Sequence, residues 1–147
     1  MPWAHSFGML KSPAMQTLPV QRPRVLCADD NPTILHAIRV AGQRAMLHVD
    51  CVTDGRAALD KSMEEGSAYD LVITDYEMPG GDGLALVRAL RERGYSRAII
   101  VMSGNLTPEL SVEFTESGAD LLIEKPFLPS TLVNSVWDLL GRSETVT

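Results

Sequence analysis

Five short apolar runs recur along the chain: RVLCA at 24–28, LHVDCV at 47–52, YDLVIT at 69–74, AIIVMS at 98–103 and DLLI at 120–123. Each has the length of a strand and is too short for a stable helix, and its apolar residues mostly do not alternate with polar ones. Strands that are apolar on both faces belong to sheets covered on both sides, which is the situation of parallel sheets. Parallel neighbours cannot be joined by a hairpin, and the intervening segments are long enough to supply one crossover helix each. Right-handed crossovers then produce an open, doubly wound α/β sheet of five strands with helices on both faces. Such sheets bind ligands beyond the carboxyl ends of their strands, so that edge is where chemistry is expected.

The intervening segments carry helix punctuation. Asn31-Pro32 is an N-cap followed by a first-turn proline, after which Ile34, Ile38, Ala41 and Ala45 fall on one face. Thr107-Pro108 repeats the device, with Gly118 as the stop. A further helix is predicted from Gly83 to Gly94, with Leu84, Val87 and Leu90 inward and Arg88, Arg91 and Arg93 on a solvated face. A weaker one covers 55–65, ending at Gly66. The last begins at Ser130 and uses Leu132, Val136, Leu139 and Leu140 for packing, with Trp137 at the edge of the core. Residues 1–22 carry three prolines and no periodicity and read as a disordered tail. Residues 23–141 read as one domain and 142–147 as a short C-terminal tail.

Bulk properties narrow the function. With 147 residues, 45% apolar and 22% charged, the chain has enough core to fold without disulfides or a structural metal. A formal charge of −6 argues against general nucleic-acid binding, which needs a surplus of Lys and Arg on at least one face. No apolar run is long enough for a transmembrane helix, and the amino terminus lacks the compact apolar block of a secretory signal. Cys27 and Cys51 sit singly in apolar stretches, a pattern of neither a zinc site nor a disulfide framework, so a reducing, cytoplasmic setting is expected. His5, His36 and His48 are scattered and read as ordinary surface or packing residues.

The residues just past the strands form a short set. The first strand ends in Asp29 and Asp30, the third in Asp75, the fourth in Ser103, and the fifth in Glu124 and Lys125. Parallel strands bring all of these to one edge. Clustered carboxylates repel one another, so near neutral pH they need a cation or a proton. Oxygen donors without His or Cys suit a hard divalent ion, Mg²⁺ (or Mn²⁺), better than Zn²⁺. A cation beside Lys125 and the Ser103 hydroxyl would receive a phosphoryl group, with Asp75 placed to attack in line. The competing reading is that Asp29 and Asp30 cap the first helix and Lys125 pairs with one of them.

These residues carry a resemblance. VLCADDNP, DLVITDYEMPGGDG, VMSGN and GADLLIEKPF, in this order and spacing, resemble the receiver domain of two-component response regulators, CheY-like proteins, over about residues 23–141. The resemblance implies a flavodoxin-like sheet of strand order 2-1-3-4-5. It implies that Asp75 is the phosphoacceptor, that Asp29, Asp30 and Asp75 hold the metal with the backbone carbonyl of Glu77, and that Ser103 and Lys125 contact the phosphoryl group. It further implies a cis peptide before Pro126 and a histidine kinase or histidine phosphotransfer protein as phosphate donor. The expected protein is a signalling phosphoacceptor, not a turnover enzyme, either a single-domain receiver acting alone or a fragment of a larger regulator or hybrid kinase. It is expected to be either monomeric or, by the resemblance, a phosphorylation-dependent dimer through its fourth helix, fifth strand and fifth helix, with no nucleic-acid or membrane partner.

One position departs from the family. Leu122 stands where many receivers have an aromatic residue that turns inward on phosphorylation, which bears on the coupling of Ser103 to the surface. Glu77 and Asn105 stand at positions that, by the resemblance, flank the path of an attacking water, and are expected to tune the lifetime of the phospho-aspartate. Two other readings compete: a degenerate receiver that only docks partners, and a haloacid-dehalogenase-type phosphohydrolase. The second has its nucleophile on the first strand and its acidic pair last, the reverse of the order found here.

Overall fold

The computed structural model describes residues 21–66, 68–78 and 82–141. In chain order the elements are β1 (Arg24–Ala28), α1 (Pro32–Arg44), β2 (His48–Val52), α2 (Gly55–Ser62), β3 (Leu71–Asp75), α3 (Gly83–Glu92), β4 (Ala98–Ser103), α4 (Pro108–Ser117), β5 (Leu121–Glu124) and α5 (Pro129–Leu139). The tails read at 1–22 and 142–147 lie outside the described residues, apart from Gln21 and Arg22.

All strand pairs are parallel and the order is β2-β1-β3-β4-β5, the doubly wound arrangement that apolar strands and helical crossovers predict. Side chains alternate between two cores. Val25, Cys27, Leu71, Ile73, Ile100 and Met102 face α1 and α5, whereas Leu26, Ala28, Val72, Ile99 and Val101 face α2, α3 and α4. Each fully buried Leu, Ile or Phe in these layers contributes about 1.5 to 3 kcal/mol of apolar burial. Among the described residues no helix is long and apolar enough to cross a membrane.

Local chemistry explains the helix ends. The Asn31 side chain accepts from the N–H of Thr33 and Ile34, Asp54 from Ala57, Asp82 from Ala85 and Thr107 from Leu110, each satisfying a first-turn donor that has no partner within its helix. Gly118 closes α4 at φ +114°, in the left-handed region.

The structure shifts several expected details. The deepest line of α1 is Leu35, Ile38 and Gly42, with Ile34, Ala41 and Ala45 packed half-buried beside it. Leu139 is exposed, and Val133 takes its place in the core of α5. Arg91 is not on a solvated face. Its guanidinium folds back over the end of α3 and donates to the carbonyls of Tyr95 (2.7 Å), Arg97 (2.8 Å) and Gly118 (2.8 Å), with Asp120 at 3.0 Å. Periodicity assigns a residue to a helix face but does not show that a long cation at the face boundary will reach back to unpaired carbonyls. Trp137 lies at the core edge, its indole N–H donating to the Ala45 carbonyl at 3.0 Å.

Candidate functional site

The sheet's own ladders hold the strand-end residues in place. Asp29 N–H donates to the Val52 carbonyl (3.1 Å), Tyr76 N–H to Met102 (2.9 Å) and Lys125 N–H to Ser103 (2.8 Å), so backbone pairing continues one residue past β1, β3 and β5. The edge that carries Asp29, Asp75, Ser103 and Lys125 is therefore as ordered as the sheet itself. Asp29 is 0% exposed, Asp75 7% and Ser103 2%, while Asp30 stands in solvent.

Carboxylate oxygens of Asp29, Asp30 and Asp75 lie within 4.8 Å of one another. The Lys125 ammonium bridges two of them, donating to Asp29 Oδ2 at 3.0 Å and reaching Asp75 Oδ1 at 2.9 Å. The other Asp29 oxygen accepts from the Asn31 N–H at 2.9 Å. Burial pushes the Asp75 carboxyl above the usual carboxylate range; the hydrogen bond from Lys125 opposes this and the charge of Asp29 adds to it. For Lys125, burial acts downward, but hydrogen bonds to Asp75 and Asp29 outweigh it and hold the ammonium above its ordinary value. Three carboxylates against one ammonium leave a formal charge of −2, all from oxygen donors, which fits a hard divalent cation.

Surrounding contacts constrain the phosphoacceptor candidate from behind. Thr74 Oγ1 donates to the Asp75 carbonyl at 2.9 Å, and Gly83 N–H donates to the Tyr76 carbonyl at 2.7 Å. A Cβ at Gly83 would collide with the Asp75 carbonyl oxygen, so α3 starts directly against the Asp75–Tyr76 backbone. Ser103 Oγ accepts from the N–H of Asn105 at 3.1 Å. Glu77 and Asn105 are both exposed on the loops that leave β3 and β4. Pro79, Gly80 and Gly81 lie outside the described residues. Leu122 pairs with Val101 and is half-buried on the α3/α4 side. The Lys125–Pro126 peptide is cis.

The geometry decides against helix capping as the role of the acidic pair, because Asn31 caps α1. Two contributors were not legible as such. Asn31 reads as a cap, yet its N–H also fixes Asp29; only its place two residues after Asp29 hints at this turn. Tyr76 carries no pattern of its own in the sequence, yet its ring packs edge-on to Phe114, with centroids 5.3 Å apart at 82°.

Comparison with known proteins matches residues 25–137 to the response regulator receiver domain. Response regulator RppA of Synechocystis sp. is 33% identical over 120 residues, covering 82% of this chain and 51% of that protein. Transcriptional regulatory protein TctD of Salmonella typhimurium is 34% identical over 120 residues, covering 82% and 53%. The chain thus spans about half the length of these curated relatives. The solved receiver domain of Francisella response regulator 1452 superimposes with a TM-score of 0.77 at 30% identity, covering 83% of this chain and 99% of that one.

Proposed function

The chain belongs to the response regulator receiver family, and on that premise we propose that it accepts a phosphoryl group on Asp75 from a phosphohistidine and thereby changes its affinity for a partner. The observation that carries this reading is the bridge of Lys125 between Asp29 and Asp75, within a cluster of three carboxylates on the ligand-binding edge of the sheet. A pure scaffold gains nothing from three mutually repelling acids.

Asp29, Asp30 and Asp75, with the Glu77 carbonyl, would hold Mg²⁺, which when bound neutralises phosphoryl oxygens and the carboxylate charge. Asp75 supplies the nucleophilic oxygen: the new P–O bond forms in line as the P–N bond of the phosphohistidine breaks and the imidazole leaves. Lys125 is already within hydrogen-bond distance of the Asp75 carboxylate and pairs with the incoming phosphoryl oxygens. Ser103, buried at the end of β4, donates its hydroxyl to the same group. The protein acts once per phosphate, catalysing its own phosphorylation and dephosphorylation.

A protein donor, either a histidine kinase or a histidine phosphotransfer protein, is supported by the surface beside the site. An apolar groove of about 430 Å³ is lined by Ile34, Ala37, Ile38, Phe127 and Pro129 and opens next to Lys125. Free thiols at Cys27 and Cys51 suit a cytoplasmic setting.

Intact mass with Mg²⁺ and acetyl phosphate tests the reading, beside Asp75→Asn. A metal-dependent gain of one phosphoryl group, absent in Asp75→Asn, is expected. A folded protein that gains none, and that also fails to bind beryllofluoride, is a docking module instead. Glu77 and Asn105 tune the phosphate lifetime: alanine at either changes the dephosphorylation rate, and unaltered rates in both variants would remove them from the mechanism.

A further inference from the structure

We propose that Tyr76 carries the state of Asp75 to α4, through its edge-on contact with Phe114. This rests on Asp75 being the phosphoacceptor and adds the route by which its modification reaches the surface.

Three observations lead there. Phe114 is the one residue of α4 that is fully buried, so its ring is the principal anchor of this helix on the sheet, with Leu110 packed half-buried beside it. That ring meets Tyr76, which is bonded directly to Asp75 in the chain. The Tyr76 backbone is clamped on both sides, its N–H on Met102 of β4 and its carbonyl on Gly83 of α3.

A phosphoryl group enlarges and charges a side chain that is only 7% exposed. The adjoining backbone cannot yield without breaking ladder bonds or driving α3 away, because a Cβ's width of space is already missing at Gly83. Side-chain rearrangement at the half-buried Tyr76 ring costs less, and an edge-to-face pair transmits it directionally because its energy depends on ring orientation. Packed interiors shift between discrete arrangements, so a small ring rotation is felt as a reseating of Phe114 and α4. Leu122 faces the same layer, but it is aliphatic and has no ring whose packing energy depends on its orientation. The outer surface of α4, with Glu109, Val112, Glu113 and Glu116 exposed, is what a partner would read.

The test uses the intact chain labelled with 3-fluorotyrosine. Its three tyrosines give three ¹⁹F resonances, and Tyr76→Phe assigns the relevant one. Acetyl phosphate and Mg²⁺ are added, and phosphoryl uptake is read by mass on the same sample. The Tyr76 resonance is expected to move in proportion to the phosphorylated fraction. Those of Tyr69 and Tyr95, which precede β3 and β4 at the opposite edge, should stay. Amide exchange over 110–117 should change severalfold on phosphorylation in the unmodified protein, Tyr76→Phe and Leu122→Ala, and the change should fall below half in Tyr76→Leu at equal uptake.

A stationary Tyr76 resonance in fully phosphorylated protein overturns the proposal without need of any destabilised variant. So does a full α4 response in Tyr76→Leu, or its loss in Leu122→Ala. Absence of uptake by the unmodified protein instead refutes the phosphoacceptor reading, and this inference falls with it.

Discussion

Replacing Asp75 by asparagine should raise the melting temperature of the metal-free protein and remove most of its response to Mg²⁺. Asp29 and Asp75 have carboxylate oxygens within 4.8 Å, a separation at which like charges repel by about 3.5 kcal/mol at an effective dielectric of about 20. Asp30 adds a smaller, solvent-screened repulsion. Lys125, at 2.9 Å, offsets this with about 6 kcal/mol of attraction on the same scale. The attraction of Lys125 to Asp29 is a separate term that the substitution leaves in place, and asparagine keeps an oxygen that accepts from the ammonium. The charge terms are thus close to balanced, and desolvation of the buried carboxylate, several kcal/mol before compensation, decides the sign. The expected net stabilisation is about 1 to 2 kcal/mol, or about 3 to 8 °C for a domain of this size.

The assay is thermal unfolding by circular dichroism, first with chelator at low salt and then across a Mg²⁺ titration. Mg²⁺ should stabilise the unmodified protein by mass action and the variant far less. The sign with pH also follows. Because the folded-state value of Asp75 is raised, its contribution is favourable below the unfolded carboxylate range and is lost as pH rises through the folded value. The variant's advantage is therefore greatest near neutrality and shrinks toward acid. A variant that melts below the unmodified protein in chelator, or an equal gain with Mg²⁺, would refute the reasoning.

Three further outcomes are expected. Gly83→Ala should cost about 1 to 3 kcal/mol in denaturant melts and slow phosphorylation, since its Cβ meets Asp75 backbone rather than a movable side chain; an unchanged rate would show that α3 can withdraw freely. Arg91→Lys should cost about 1 to 3 kcal/mol, because an ammonium cannot span the carbonyls of Tyr95, Arg97 and Gly118 together; full stability would reduce Arg91 to a surface cation. Asp50 opposes its own burial through the Tyr69 hydroxyl at 2.6 Å, His48 and Arg24, which together hold its carboxyl below the usual range. That stability is present above the unfolded carboxylate range and lost as pH falls through the lower folded value. Asp50→Asn should therefore melt lower by about 1 to 2 kcal/mol at neutral pH, with the gap closing in acid. A gap that persists at low pH would assign the loss to packing.

Much of this protein is legible from local signals. Two-sided apolar runs separated by capped helices specify a parallel sheet, because no other arrangement covers both faces and satisfies the crossovers. Once the strands are parallel, Asp29, Asp30, Asp75, Ser103 and Lys125 must share an edge, whatever their separation in the chain. Other features depend on contacts between distant segments and leave no periodic trace. Arg91 turns inward because the carbonyls of Gly118, Tyr95 and Arg97 converge beside it. Leu139 is exposed and Val133 buried because the face of α5 that packs on the core is centred on Leu132, Val133 and Val136, a choice made by the residues it meets and not by spacing alone. Tyr76 meets Phe114 only after β3, β4 and α4 have assembled. Sequence by itself determined which residues reach the edge of the sheet, since that follows from strand polarity. Tertiary structure alone decided which of their neighbours touch, since side-chain contact depends on packing across elements that the chain order does not encode.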